Sequence, residues 1–241
     1  MTSRIIMANS TKPITSAKPS GARGLLAAVF AGVCAAIALF GGFKVWAGFR
    51  LLEARADLTF AESAPRGAGR DAALASAHNS AEAGLSLARH DPDLHLTMAR
   101  VRWLQATTGA AAGVSDPLMQ AAAQSAARAE ALRPDGASAA MLSLAHAMLA
   151  PEQAAQHLSQ SYQRAPRQSA FSPWRLEAAS YVFTALGEAS RTRALAEACV
   201  AARANRTGQD RVMAMALEAQ DGEFAAQVKA ILSDPTCAPS A

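Results

Sequence analysis

Within six positions the chain places His90, Asp91, Asp93 and His95, two imidazoles and two carboxylates of the kind that hold zinc and, with a bound water, support hydrolysis. The turn and the cap of the following helix account equally well for Pro92 and Asp93. His78, His146 and His157 stand alone in the sequence and read as packing or surface residues rather than bases. The sequence contains no Gly-rich phosphate loop ending in Gly-Lys-Ser/Thr, no Gly-x-Ser-x-Gly elbow and no pair of histidines at i and i+4 around a glutamate. The expectation is therefore a protein that is not an enzyme, with no catalytic residue, no cofactor and no metal. A small helical metal-dependent hydrolase using His90, Asp93 and His95 is the alternative.

Cysteine carries a second kind of chemistry. Cys34 sits in a long apolar run and reads as a small apolar residue, while Cys199 and Cys237 form an even pair downstream. In an oxidising compartment they can bridge and pin the C-terminal tail; otherwise they are two free thiols. Amides supply a third. Gln153, Gln156, Gln160 and Gln163 follow spacings of 3, 4 and 3, so they share one helix face opposite Ala154, Ala155, Leu158, Tyr162 and Ala165. Side-chain amides both donate and accept and so can read an extended peptide backbone; Gln120 and Gln124 extend the candidate surface, expected to be concave. The plain alternative is a solvated face.

The elements that position these residues follow from composition. The chain has 241 residues, 51% of them apolar and only 5% aromatic. Roughly a quarter are alanine, which favours helix over sheet. The formal charge is +4, but Arg4, Lys12, Lys18, Arg23 and Lys44 precede residue 48 with no acid among them, and the rest holds 18 Lys and Arg against 19 Asp and Glu. A nearly neutral domain exerts no net field on phosphates, so no nucleic-acid partner is expected; with no enzyme motif present, no small-molecule substrate is expected either. Only Lys12, Lys18, Lys44 and Lys229 are lysine, which with the alanine excess fits a GC-rich bacterial genome.

Gly24 to Phe43 are twenty residues without a charge; as a helix they span about 30 Å, the hydrocarbon thickness of a bilayer. Trp46 beside Lys44 is the expected interfacial anchor. A cleaved signal is the rival reading, but the apolar core is longer than signals use and Lys44 occupies the position of a neutral cleavage region. A lipoprotein signal is disfavoured because Val33 precedes Cys34. Four Lys and Arg before the run against Lys44, Arg50 and Arg55 after it place the N-terminus in the cytoplasm. Ala28, Gly32 and Ala36, like Ala38 and Gly42, recur every fourth residue, a spacing that admits a close second helix but that chance also produces in an alanine-rich run.

Beyond the span, turn signals at Pro65–Gly69, Asp91–Asp93, Ser115–Pro117, Pro134–Gly136, Pro151, Pro166 and Gly187 separate helix-length stretches. Trp174, Ala178, Tyr181, Val182 and Leu186 fall at i, i+4, i+7, i+8 and i+12, a stripe that needs neighbours on more than one side. Pro92, Pro134 and Pro166 recur after 42 and 32 residues, close to the period of a helix-pair solenoid. The segment Ala129-Glu130-Ala131-Leu132-Arg133-Pro134-Asp135, followed by Ala137, Ala140 and Ala145, resembles the junction between tetratricopeptide (TPR) repeats, and Leu87–Leu96 and Ser161–Trp174 are similar to it. It departs from that family in lacking the Trp-Leu-Gly-Tyr pattern and in the long loop Thr107–Asp116. The resemblance implies a right-handed α-helical solenoid that binds proteins or peptides on its concave face.

The expected fold is all-α, a single transmembrane helix followed by a TPR-like hairpin-repeat solenoid. Residues 1–22 form a disordered cytoplasmic tail, 23–47 the span, 48–69 a juxtamembrane helix and linker, 70–233 the repeats and 234–241 a tail. The expected role is that of an integral, single-pass scaffold or adaptor in a bacterial inner membrane, its C-terminal domain periplasmic. Its partners would be other envelope proteins or peptides, in a setting such as polysaccharide or secretion assembly. The alternative is a structural subunit packed through its transmembrane helix.

Overall fold

The computed structural model describes residues 21–108 and 116–237. Nearly all of the expected tail 1–22, most of the loop before Asp116, including Ser115 of the expected turn signal, and the last four residues lie outside the described residues. Among the described residues there is no strand. The helices are α1 Gly21–Ser63, α2 Ala68–Leu87, α3 Pro92–Thr108, α4 Asp116–Leu132, α5 Gly136–His146, α6 Pro151–Arg164, α7 Ser172–Val182, α8 Glu188–Ala204, α9 Arg206–Glu218 and α10 Gly222–Leu232. Single 3-10 turns follow at Ser169–Phe171, Phe183–Ala185 and Pro235–Cys237.

The chain divides into two units, residues 1–42 and 43–241. In the first, the described large side chains Leu25, Val29, Phe30, Val33, Ile37, Leu39 and Phe40 are each more than half exposed. A core helix buries such residues; here they cover a helix long and apolar enough to cross a membrane, with a mean hydropathy of 2.0 over its most apolar stretch.

The second unit begins with the end of α1, where Ala47, Ala54 and Ala61 are buried at seven-residue intervals. Small residues at that spacing let α1 lie close: Ala54 packs with Ala81 of α2 and Met98 of α3, and Leu58 and Ala61 join the main core. The helix runs on to Ser63, and Gly67 makes the turn into α2 at φ +150°, a conformation that disfavours any side chain. From α2 onward each described helix contacts the next; contacts also join α3 to α5, α5 to α7, α7 to α9, α6 to α8 and α8 to α10. Short turns between helices enforce this local order.

The helix starts are fixed by side chains. Asp91 accepts from the amides of Asp93 and Leu94, Asp221 from those of Glu223 and Phe224, and Asp135 forms a reciprocal box with Ser138 at the start of α5. At that same start Gly136 has no room for a side chain: a Cβ would stand 2.5 Å from that of Ala165 and 3.0 Å from the ring of Phe171. Ser161 of α6 donates to the Gly136 carbonyl at 2.6 Å, so the close approach is also hydrogen-bonded.

Arg175 is the largest polar group in the interior, fully buried in α7. It donates to the carbonyls of Ser161 at 2.6 Å and Ala165 at 2.7 Å, to Ser161 Oγ and to Glu197. Its plane lies over the rings of Phe171 and Tyr162. One guanidinium thus adds a second donor to carbonyls at the end of α6 that also accept backbone N–H groups, and it ties α6, α7 and α8 together.

Candidate binding groove

A cavity of about 730 Å³ opens across the odd-numbered helices. α7 supplies Trp174, Glu177 and Tyr181, at helical spacings of 3 and 4, α3 supplies Arg100, and α9 supplies Arg211, each helix turning one face to the same space. The 2.7 Å bond between Arg100 Nε and Glu62 Oε1 brings in the end of α1, and Arg66 stands on the turn that follows and Arg70 in the first turn of α2. A second cavity, about 860 Å³, lies along α7, α8 and α9 and shares Pro173, Arg211 and Met215 with the first. Its wall is more apolar, with Leu176, Val200, Ala201 and Val212, and Arg167 also lines it. The two cavities form one extended groove, polar at one end and apolar at the other.

Charge is organised in that groove at two levels. Arg100 is buried and bonded on both sides, to Glu62 and, at 2.6 Å, to Glu177 Oε2. Glu177 Oε1 accepts from the indole N–H of the fully buried Trp103 at 2.9 Å. Burial pulls the Arg100 pKa down, but the two carboxylates outweigh it and hold it above its ordinary value. Arg66, Arg70, Arg167 and Arg211 have no ion-pair partner among the described residues, and the Nε of Arg70 is buried without a hydrogen bond. These four cations line cavities that also hold Glu62, Glu177, Glu218 and Glu197, yet none of the four is within ion-pair distance of them, and an arginine fork recognises a carboxylate or a peptide carbonyl.

The glutamine surface lies elsewhere. Gln120 and Gln124 are exposed on α4; Gln153, Gln156 and Gln163 are exposed on α6 and Gln160 is half-buried there. Gln156, Gln160 and Gln163 share a shallow depression of about 480 Å³ with Glu152, Ser159 and Ala185. None of the six lines the groove across the odd helices. The reason is the packing of α6, whose Ala154, Ala155, Leu158 and Tyr162 are buried, which turns the amides to the opposite side. The stripe on α7 does reach the groove: Ala178, Val182 and Leu186 are buried, while Trp174 and Tyr181 line the cavity, Tyr181 edge-on to Trp103 with ring centroids 5.8 Å apart.

The residues near His90 are occupied by structure. Asp91 caps α3. Asp93 accepts two bonds from Arg133 at 2.9 and 3.2 Å and also pairs with Arg55; the Arg133 bonds hold its carboxyl below the ordinary range. His95 Nε2 lies 3.0 Å from the Arg89 carbonyl. No group of three or more His, Cys, Asp or Glu able to share a metal occurs among the described residues. Cys199 of α8 and Cys237 are joined as a disulfide with Cα atoms 5.0 Å apart.

His146 and His157 stack with ring centroids 5.5 Å apart. His146 Nδ1 lies 3.0 Å from the Leu142 carbonyl, and His157 Nδ1 is buried without a partner. Burial, then the neighbouring His146, lowers the pKa of His157 below 6.5. As pH falls through 6.5 the unfolded chain takes up this proton first, so the stability present above 6.5 is lost on the way down to the folded-state pKa. The expected result is a lower urea midpoint at pH 5.5 than at pH 7.5, with a smaller difference in His157→Gln. Equal pH dependence in both chains would contradict it. Glu197, its pKa raised by burial, acts in the opposite sense at lower pH.

Set against protein-family models, curated proteins and solved structures, the chain matches none of them. What the groove does must be read from its own chemistry. Paired cavities with aromatic and apolar walls and four guanidinium groups that have no ion-pair partner among the described residues can hold an extended segment through its carbonyls and carboxylates and bury its apolar side chains.

Proposed function

We propose that this chain is a single-span inner-membrane protein of a bacterium whose helical domain, on the periplasmic side, is a TPR-like scaffold that holds a segment of another envelope protein. It works by binding without chemistry: the anchor keeps the groove at the membrane and so raises the effective concentration of tethered partners. The observation that carries the reading is the extended groove across α3, α7 and α9 with its four arginines that have no ion-pair partner among the described residues. The serial packing of each helix from α2 onward on the next, with α3, α5, α6, α7 and α8 also reaching the next but one, supports a repeat array. The exposed apolar helix supports the anchor, and the Cys199–Cys237 bond supports an oxidising compartment.

The test is charge reversal in the full-length protein in its own membranes. Arg66→Glu/Arg70→Glu is expected to reduce the recovery of cross-linked partner proteins at least tenfold, because each substitution replaces an attraction by a repulsion. Gln156→Ala/Gln160→Ala, on the α6 face, is expected to leave recovery unchanged. Partners lost in the glutamine variant and kept in the charge-reversed one would transfer the binding surface to α6.

A further inference from the structure

The stretch of α1 from Val45 to Phe60 has two apolar faces, and only one of them is used by the domain. Ala47, Ala54, Leu58 and Ala61 are buried against it. On the far side Val45, Phe49, Leu52 and Phe60 are 62%, 56%, 63% and 57% exposed, and Ala56 between them is exposed as well. Their spacing is 4, 3, 4 and 4, and at 100° per residue they form one stripe opposite the buried alanines. The charged residues of the same stretch, Arg50, Glu53, Arg55 and Asp57, all fall off this stripe. A helix that needed only to be solvated would not sort its charges away from one line.

We infer that this stripe is the contact face of a parallel helix pair formed with the α1 of a second copy of this chain. The inference rests on the membrane-anchored reading. The membrane cannot be the cover along the whole stripe, because Phe60 lies roughly 25 Å along the helix from Phe43, farther than the polar layer of a bilayer is deep. A partner helix must instead leave the same membrane in the same direction, with apolar residues at matching heights. A second copy meets every one of these conditions, since Lys44 and Trp46 set both copies at the same depth and each stripe residue then faces its own equivalent. Spacings of 3 and 4 suit a shallow left-handed crossing. In the sequence the same spacing extends back through Gly42, Ala38, Ala35, Ala31 and Ala28, small residues that permit close helix approach within lipid. The domain, packed on the opposite face, does not obstruct the pairing.

The experiment is disulfide scanning in native membranes on the full chain carrying Cys34→Ala, where Cys199 and Cys237 are already bonded to each other. Val45→Cys, Phe49→Cys, Leu52→Cys, Ala56→Cys and Phe60→Cys are expected to give the mass of two copies on mild oxidation. Arg50→Cys and Asp57→Cys, off the stripe, are expected to give at least fivefold less. Leu52→Glu, in the chain bearing Phe49→Cys, is expected to abolish the product while leaving thermal unfolding of the domain unchanged, because Leu52 touches none of its core. Equal yields at all seven positions, no product from protein that stays in alkali-washed membranes, or a product with another protein would each overturn the pairing. Release of the protein by the alkaline wash would overturn the anchor itself and the membrane pairing with it.

Discussion

Glu177→Ala is expected to lower the unfolding free energy of the domain by about 3 kcal/mol, the lower end of what removing one partner of a buried ion pair costs. The lower end applies because the Glu177 side chain keeps a quarter of its exposure while Arg100 keeps 7%, so water reaches the carboxylate side. Two groups lose their acceptor at once: one arm of the Arg100 guanidinium and the indole N–H of Trp103. The Trp103 indole, fully buried, cannot turn to solvent, and Arg100 keeps only a narrow exposure toward the cavity. Glu177→Gln retains an acceptor and is expected to cost roughly half as much. Urea unfolding of the full chain in detergent micelles, followed by helical circular dichroism, measures the difference. Equal stability of the alanine variant and the wild type would mean that the network carries no net energy.

Removing the Cys199–Cys237 bond is expected to cost about 4 kcal/mol in the chain-entropy model, given the 38-residue separation it closes. For a domain of this size that corresponds to a fall in Tm of about 10 °C. The bond ties the 3-10 turn after α10 to the middle of α8 across two intervening helices, so its loss frees the C-terminal end first. Val228, Phe224 and Leu232, which pack α10 into the core, and the bonds of Asp221 to Ser180 and Thr184 at its start then hold it without the covalent tie. The comparison is Cys199→Ser/Cys237→Ser against wild type by thermal unfolding, repeated on wild type with reductant. An unchanged Tm in both would show that the docking of α10 needs no staple.

The helix order was legible because its punctuation is chemical. Pro92, Pro134-Asp135-Gly136, Pro151 and Gly187 mark starts and stops by backbone constraint and capping, and those effects act within four residues. Backbone geometry set the exact bounds: α2 begins at Ala68 directly after Gly67, and α5 ends at His146 before a turn. Contacts between residues far apart in sequence were not legible. Arg100 meets Glu62 and Glu177 across 38 and 77 residues, and nothing local announces either. The one signal was a charge set among Leu96, Trp103 and Leu104 on an otherwise apolar face, which burial permits only with a partner. The glutamine stripe shows the same limit. Its period on α6 was correct, but period identifies which face is polar and not which side of an array that face adorns. His90, Asp91, Asp93 and His95 were near in sequence, yet Asp93 is claimed by Arg133, forty residues on.

The most direct measurement is photo-cross-linking in native membranes from single positions of the full-length protein. A photoreactive residue at Trp174, inside the groove, is expected to capture one dominant envelope protein, and Arg66→Glu/Arg70→Glu is expected to remove that adduct. The same residue at Gln156, on α6, is expected to capture little. Adducts from position 156 with none from 174, or a groove adduct indifferent to the charge reversal, would contradict a scaffold that binds through the arginine-lined groove.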